Sequence, residues 1–74
     1  MAKTYYYAQT SETRSVIAKA KRKIERMIKE NPSFDWKQRN VVIQEFTEEY
    51  KKDIMFQEFI FSESVRKWYN KKYR

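Results

Sequence analysis

The sequence predicts a mainly α protein, a small three-helix domain with an extended, strand-like N-terminal arm. Three observations lead there. The chain has no glycine and a single proline, so little turn chemistry is available and few elements joined by short connections are expected. Apolar residues recur at helical spacing over most of the length. Only residues 3–9 alternate with the two-residue period of a strand. At 74 residues the chain is long enough for one domain, spanning 1–74.

The arm, residues 1–9, holds the tyrosine-rich stretch KTYYYAQ, with Lys3, Tyr5 and Tyr7 on one side and Thr4, Tyr6 and Ala8 on the other. No second strand is evident, so its backbone groups call for a partner: a second copy in a two-stranded homodimer ribbon, or the exposed sheet edge of a target. Three consecutive tyrosines cannot all face one small core, which makes Tyr5 and Tyr7 candidates for partner contact.

The first helix is expected over 10–31. Thr10 or Ser11 can cap it, and Pro32 forbids an ordinary continuation. Val16, Ile17, Ala20, Ile24, Met27 and Ile28 form one apolar stripe. Asp35 followed by Gln38 is a capping-box signature that opens a second helix over 35–60. Trp36, Ile43, Phe46, Tyr50 and Ile54 give this helix a heptad-like face. Residues 54–61 are apolar on several sides, so they continue the helix, kink it, or form the central core crossing. Ser62 is the expected cap of a third helix over 62–73, with Val65, Trp68, Tyr69 and Tyr73 on its stripe. Aromatic burial must stabilise so short a chain, and Trp36, Phe46, Tyr50, Phe59, Phe61 and Trp68 stand at core spacing. Trp36, Phe46, Ile54 and Trp68 are the expected centre of that core.

Whole classes of chemistry are absent from the composition. Without Cys or His there are no disulfides, no zinc-ligand set, no Cys nucleophile and no imidazole base. Without Gly there is no glycine-rich phosphate loop. Pairs such as Glu45 with Glu49, or Glu48 with Glu49, read as charge on a solvated helix face. The expectation is a non-enzymatic protein with no cofactor and no metal. Tyrosine aside, the longest apolar run is three residues, which predicts no membrane partner and, with the missing cysteines, a cytoplasmic location.

The charge is +7 overall, and it is segregated. Residues 1–34 carry eight basic and three acidic groups, residues 35–60 four and six, and residues 61–74 five and one. On the first helix Lys19, Arg22, Lys23 and Arg26 share about a third of the wheel, beside the apolar stripe. On the third, Arg66, Lys67, Asn70, Lys71 and Arg74 share another arc. Clustered Lys and Arg gain free energy from counterion release when they neutralise a polyanion. Lys19, Arg22, Lys23, Arg26, Arg66, Lys67, Lys71 and Arg74, with Tyr5 and Tyr7, are therefore the candidate partner-binding residues. The partner expected for them is nucleic acid or a nucleoprotein complex. The alternative is a protein-binding inhibitor or adaptor that docks on an acidic or nucleic-acid-binding surface of a target protein. The plainer account is that these are solvated faces partly paired with Glu45, Glu48, Glu49 and Asp53, and exposed pairs of that kind contribute only about 0 to 1 kcal/mol each.

Over residues 3–52 the order extended segment, helix, helix resembles ribbon-helix-helix repressors, in which a strand pairs with its copy and reads a DNA groove. The long first helix, Pro32 in the inter-helix turn and the third helix all depart from that pattern, so no membership is assigned. In size, charge and lack of catalytic residues the chain is also similar to small accessory proteins of bacteriophages and mobile elements, including inhibitors of host-defence nucleases.

Overall fold

A computed structural model describes residues 10–73, and its order is α1 (Ser11–Glu30), α2 (Trp36–Tyr50) and α3 (Glu58–Tyr73), with no strand among the described residues. The mainly α architecture is thus present, while the expected arm over residues 1–9 lies outside the described residues. Local chemistry sets the first two helix starts. The Thr10 hydroxyl accepts the Thr13 N–H at 3.1 Å, which satisfies one of the donors a helix start leaves open. At Asn31 the chain leaves α1, its carbonyl accepting from the Phe34 N–H at 3.0 Å and its side chain from the Ser33 N–H at 3.0 Å. Asp35 then opens α2 with the reciprocal capping box: its carboxylate takes the Gln38 N–H, and the Gln38 side chain takes the Asp35 N–H at 2.8 Å.

The second and third helices differ from their expected bounds. Instead of running to residue 60, α2 ends at Tyr50, and residues 51–57 form a tight connection. Asp53 is the physical reason. Its N–H donates to the Tyr50 carbonyl, its own carbonyl accepts the Phe56 N–H, and its carboxylate accepts the Met55 N–H at 2.8 Å. A short acidic side chain thereby competes with the helix for backbone donors. The break also changes which residues reach the core. A continued helix would hold Ile54 on the stripe of Tyr50 and turn Phe56 away; the observed turn buries Phe56 and leaves Ile54 95% exposed.

Four residues ahead of the expected Ser62 cap, α3 begins at Glu58, and the Ser62 hydroxyl instead donates to the Phe59 carbonyl inside the helix. The start is fixed from another helix. Thr13 of α1 is fully buried and its hydroxyl accepts the Gln57 N–H at 2.7 Å, while the Gln57 carbonyl accepts the Phe61 N–H.

Cross-helix contacts define the topology. Lys19 meets Tyr50 and Lys23 meets Glu45, so α1 and α2 are antiparallel. Arg39 meets Asn70 and Phe46 meets Phe61, so α2 and α3 are antiparallel too. Thr13 with Gln57 and Glu25 with Lys72 make α1 and α3 parallel. The result is an up-down-up bundle. Its core is Val16, Ile17, Ala20 and Ile24 of α1, Val42 and Ile43 of α2, Phe56 of the connection, and Phe61, Val65 and Tyr69 of α3. Fully buried side chains such as Phe61, Ile24 and Val16 contribute roughly 1.5–3 kcal/mol each.

The expected aromatic core is only partly present. Phe46, Tyr50 and Trp68 pack on the core from its rim, half-buried, and Phe61 is at its centre. Trp36 is 47% exposed and Phe59 71% exposed, so neither belongs to it. Trp36 is the first residue of α2, beyond the end of the stacked layers, although its seven-residue spacing to Ile43 matches a heptad. Phe59 falls off the stripe because α3 starts early and sets its face by Phe61, Val65 and Tyr69.

Candidate nucleic-acid interface

The packing of α1 sorts its cations into three groups. Towards α2, the Lys19 ammonium donates to the Tyr50 hydroxyl at 3.0 Å and lies 5.4 Å from the centre of that ring. The hydrogen bond to Tyr50 is the main reason its pKa is raised above the ordinary 10.5. Lys23 pairs with Glu45 at 3.2 Å and sits near the Phe46 ring. Towards α3, Lys21 lies 5.8 Å from the Trp68 ring centre. Three lysines thus cover aromatic rims with their stems, as long amphipathic side chains do.

Arg22, Arg26 and Lys29 form the third group. All three are exposed on the outward side of α1, and no carboxylate or ring among the described residues engages them. Their spacing, i, i+4 and i+7, keeps them on one strip, with about 1.5 Å of rise per residue between them. Arg26 and Lys29 also line an open concavity of about 500 Å³ with Glu25 and Tyr73. The one carboxylate there is already occupied, since Glu25 accepts from the Lys72 ammonium at 2.8 Å. That hydrogen bond is the largest cause of the raised pKa of Lys72. The concavity therefore presents two cations with no carboxylate partner among the described residues, and the partly exposed Tyr73 ring, which meets Trp68 edge-on and Tyr69 at a tilt.

Parallel α1 and α3 bring two helix C-termini to one pole of the bundle. Lys29 stands in the last turn of the first, Lys71 and Lys72 in the last turn of the second. Part of this basic pole is structural, because cations there offset the partial negative charge of the helix ends. The cations of α3 are spread out. Lys67 and Lys71 are exposed, whereas Arg66 lines a polar groove between α2 and α3 with Asn40, Gln44, Thr47 and Glu58. The first-helix arc and the third-helix arc therefore do not form one continuous ridge. Arg74, Tyr5 and Tyr7 lie outside the described residues.

Two residues of this surface were not among the candidates. Lys29 continues the strip of Arg22 and Arg26, a signal present in the i+7 spacing. By sequence Tyr73 stands on the apolar stripe of its helix, and the crossing of α1 with α3 brings it to the concavity that Arg26 lines. Among the described residues no group of three or more Asp and Glu gathers as a metal site, and no helix is long and apolar enough to cross a membrane. Comparison with protein-family models, with curated proteins and with solved structures returns no match.

Proposed function

We propose that this chain is a non-catalytic binding protein that holds the phosphate backbone of a nucleic acid on the outward strip of α1, through Arg22, Arg26 and Lys29. One observation carries the reading. Of the six lysines and arginines from 19 to 29, the neighbouring helices engage Lys19, Lys21 and Lys23 and leave these three exposed, with the nearby Glu25 carboxylate held by Lys72. Arginine suits the role, because its planar fork can donate twice to a phosphate and is always charged. Tyr73 offers a ring face on which an unpaired base can stack beside those cations. Lys67 and Lys71 add to the long-range attraction without belonging to the same strip. The contacts proposed are to phosphate, and such contacts position a nucleic acid without reading its sequence. The role is a cytoplasmic one, in keeping with a chain free of cysteine.

Fluorescence anisotropy with a labelled single strand of about 20 nucleotides and its duplex tests the proposal. Arg22→Glu with Arg26→Glu should weaken binding by about tenfold or more at low salt, with helical circular dichroism unchanged. Lys19→Gln should leave it nearly as it was, since Lys19 is committed to Tyr50. A double variant that binds like the parent would remove the strip from any such role.

A further inference from the structure

Beside the basic strip of α1 stands an aromatic ring that a chain of phosphates alone would not need. Tyr73 lines the open concavity of about 500 Å³ together with Arg26 and Lys29, and 38% of its surface is exposed. The ring is held by its neighbours. Trp68 meets it edge-on with the ring centres 5.8 Å apart, and Tyr69 at a tilt with the centres 5.3 Å apart. Tyr69 belongs to the core and Trp68 packs against it. A ring fixed in this way has little freedom left to lose when a second ring stacks on it.

The charges around Tyr73 suit a phosphate next to a stacked base. Lys72 lies 5.7 Å from the centre of the Tyr73 ring and donates to Glu25 at 2.8 Å, so the carboxylate that lines the concavity is matched by a cation already in place. Glu30, the next acid along α1, is exposed and does not line the concavity. Cations that follow the backbone, set beside an aromatic ring on which an unpaired base stacks, are the combination by which single strands are held. A duplex can use only the first half of it. Its bases are stacked and paired internally, and drawing one out is costly. Its charge density is the greater, with one phosphate per about 1.7 Å of axis, so a surface that offered cations alone would favour the duplex.

We propose that Arg26, Lys29 and Tyr73 select single-stranded nucleic acid over duplex, with one unpaired base stacked on Tyr73 and the adjoining phosphates on the two cations. The preference rests on the phosphate-binding role of the α1 strip and adds to it the class of nucleic acid. It is indifferent to which base is stacked, because every base has a π-face.

The test is fluorescence anisotropy on the full chain with three labelled DNA probes of equal length: a single strand, its duplex, and a strand of abasic sites, which keeps the phosphates and lacks the bases. The single strand should bind more tightly than the duplex, and about tenfold more tightly than the abasic strand. Tyr73→Leu should close the gap between the single strand and the abasic strand, and Tyr73→Phe, which keeps the ring, should keep the gap open. The comparison of probes on the parent chain needs no substitution, so it stands whether or not a variant folds. Arg22→Glu with Arg26→Glu should weaken all three probes. If it does so while the parent binds the duplex or the abasic strand as tightly as the single strand, the phosphate role stands and the single-strand preference is overturned. A gap that Tyr73→Leu leaves open overturns it as well, and so does a gap that Tyr73→Phe closes, since the hydroxyl and not the ring would then be the contact. If no probe binds, the phosphate role and the preference fall together.

Discussion

Among the described residues, Arg39 is the charged side chain that the bundle buries, with 7% of its surface exposed. One guanidinium nitrogen donates to the Asn70 side chain at 2.9 Å, another to Asn40 at 3.3 Å, and the group lies 5.3 Å from the centre of the Tyr69 ring. A buried cation is tolerated when its donors find acceptors, and costs several kcal/mol when they do not. Asn70→Ala removes one acceptor and should destabilise the fold by about 1 to 2 kcal/mol, read as a lower urea midpoint with an unchanged slope. The core makes a sharper contrast. Phe61→Ala should cost about 3 to 5 kcal/mol, whereas Ile54→Ala should stay within about 0.5 kcal/mol, both by thermal melting. Equal losses at the two positions would put Ile54 back in the core. The apolar stripe from Val16 to Ile28 was legible because an uninterrupted helix keeps its period. Sequence spacing puts Ile54 in the core only if the helix that Asp53 ends were to continue, and it gives no sign of the burial of Arg39, whose acceptor Asn70 lies 31 residues away.

The caps divide in the same way at the scale of elements. Thr10 and the Asp35–Gln38 pair act within three residues, so sequence spacing reveals them. The start of α3 depends on a hydroxyl 44 residues earlier, and no local pattern announces it. Thr13→Val keeps the shape of that side chain and removes the acceptor of the Gln57 N–H. It should destabilise the protein by about 1 to 3 kcal/mol and speed hydrogen exchange of the Gln57 amide more than of amides in the middle of α1. Uniform acceleration throughout the bundle would mean that the contact matters only to global stability. The basic arcs were legible as charge on a wheel, but their division was not. Which lysines are engaged depends on where Tyr50, Glu45 and Trp68 come to lie, and that follows from the crossing of three helices.

Over the whole molecule, the parallel run of α1 and α3 brings the last turns of both helices, with Lys29, Lys71 and Lys72, to one pole. With no histidine and no cysteine, the chain has no side chain whose ordinary pKa lies between about 6 and about 9. Affinity for nucleic acid should therefore be nearly flat from about pH 6 to about pH 9. Stability should fall towards the alkaline end. Lys19 and Lys72 have raised pKa values in the folded chain, so their contribution is complete below the ordinary 10.5 and is lost as pH rises through the raised values. A melting temperature that falls between about pH 7 and about pH 9 would contradict this.

Neutralisation of phosphates by Arg22 and Arg26 would show in the dependence of affinity on salt. The logarithm of the association constant falls linearly with the logarithm of salt concentration, by about 0.7 per phosphate neutralised on a single strand and about 0.9 on a duplex. Arg22→Gln with Arg26→Gln should make that slope shallower by about 1.4 on the single strand and about 1.8 on the duplex. A slope identical to that of the parent chain would show that neither arginine meets a phosphate.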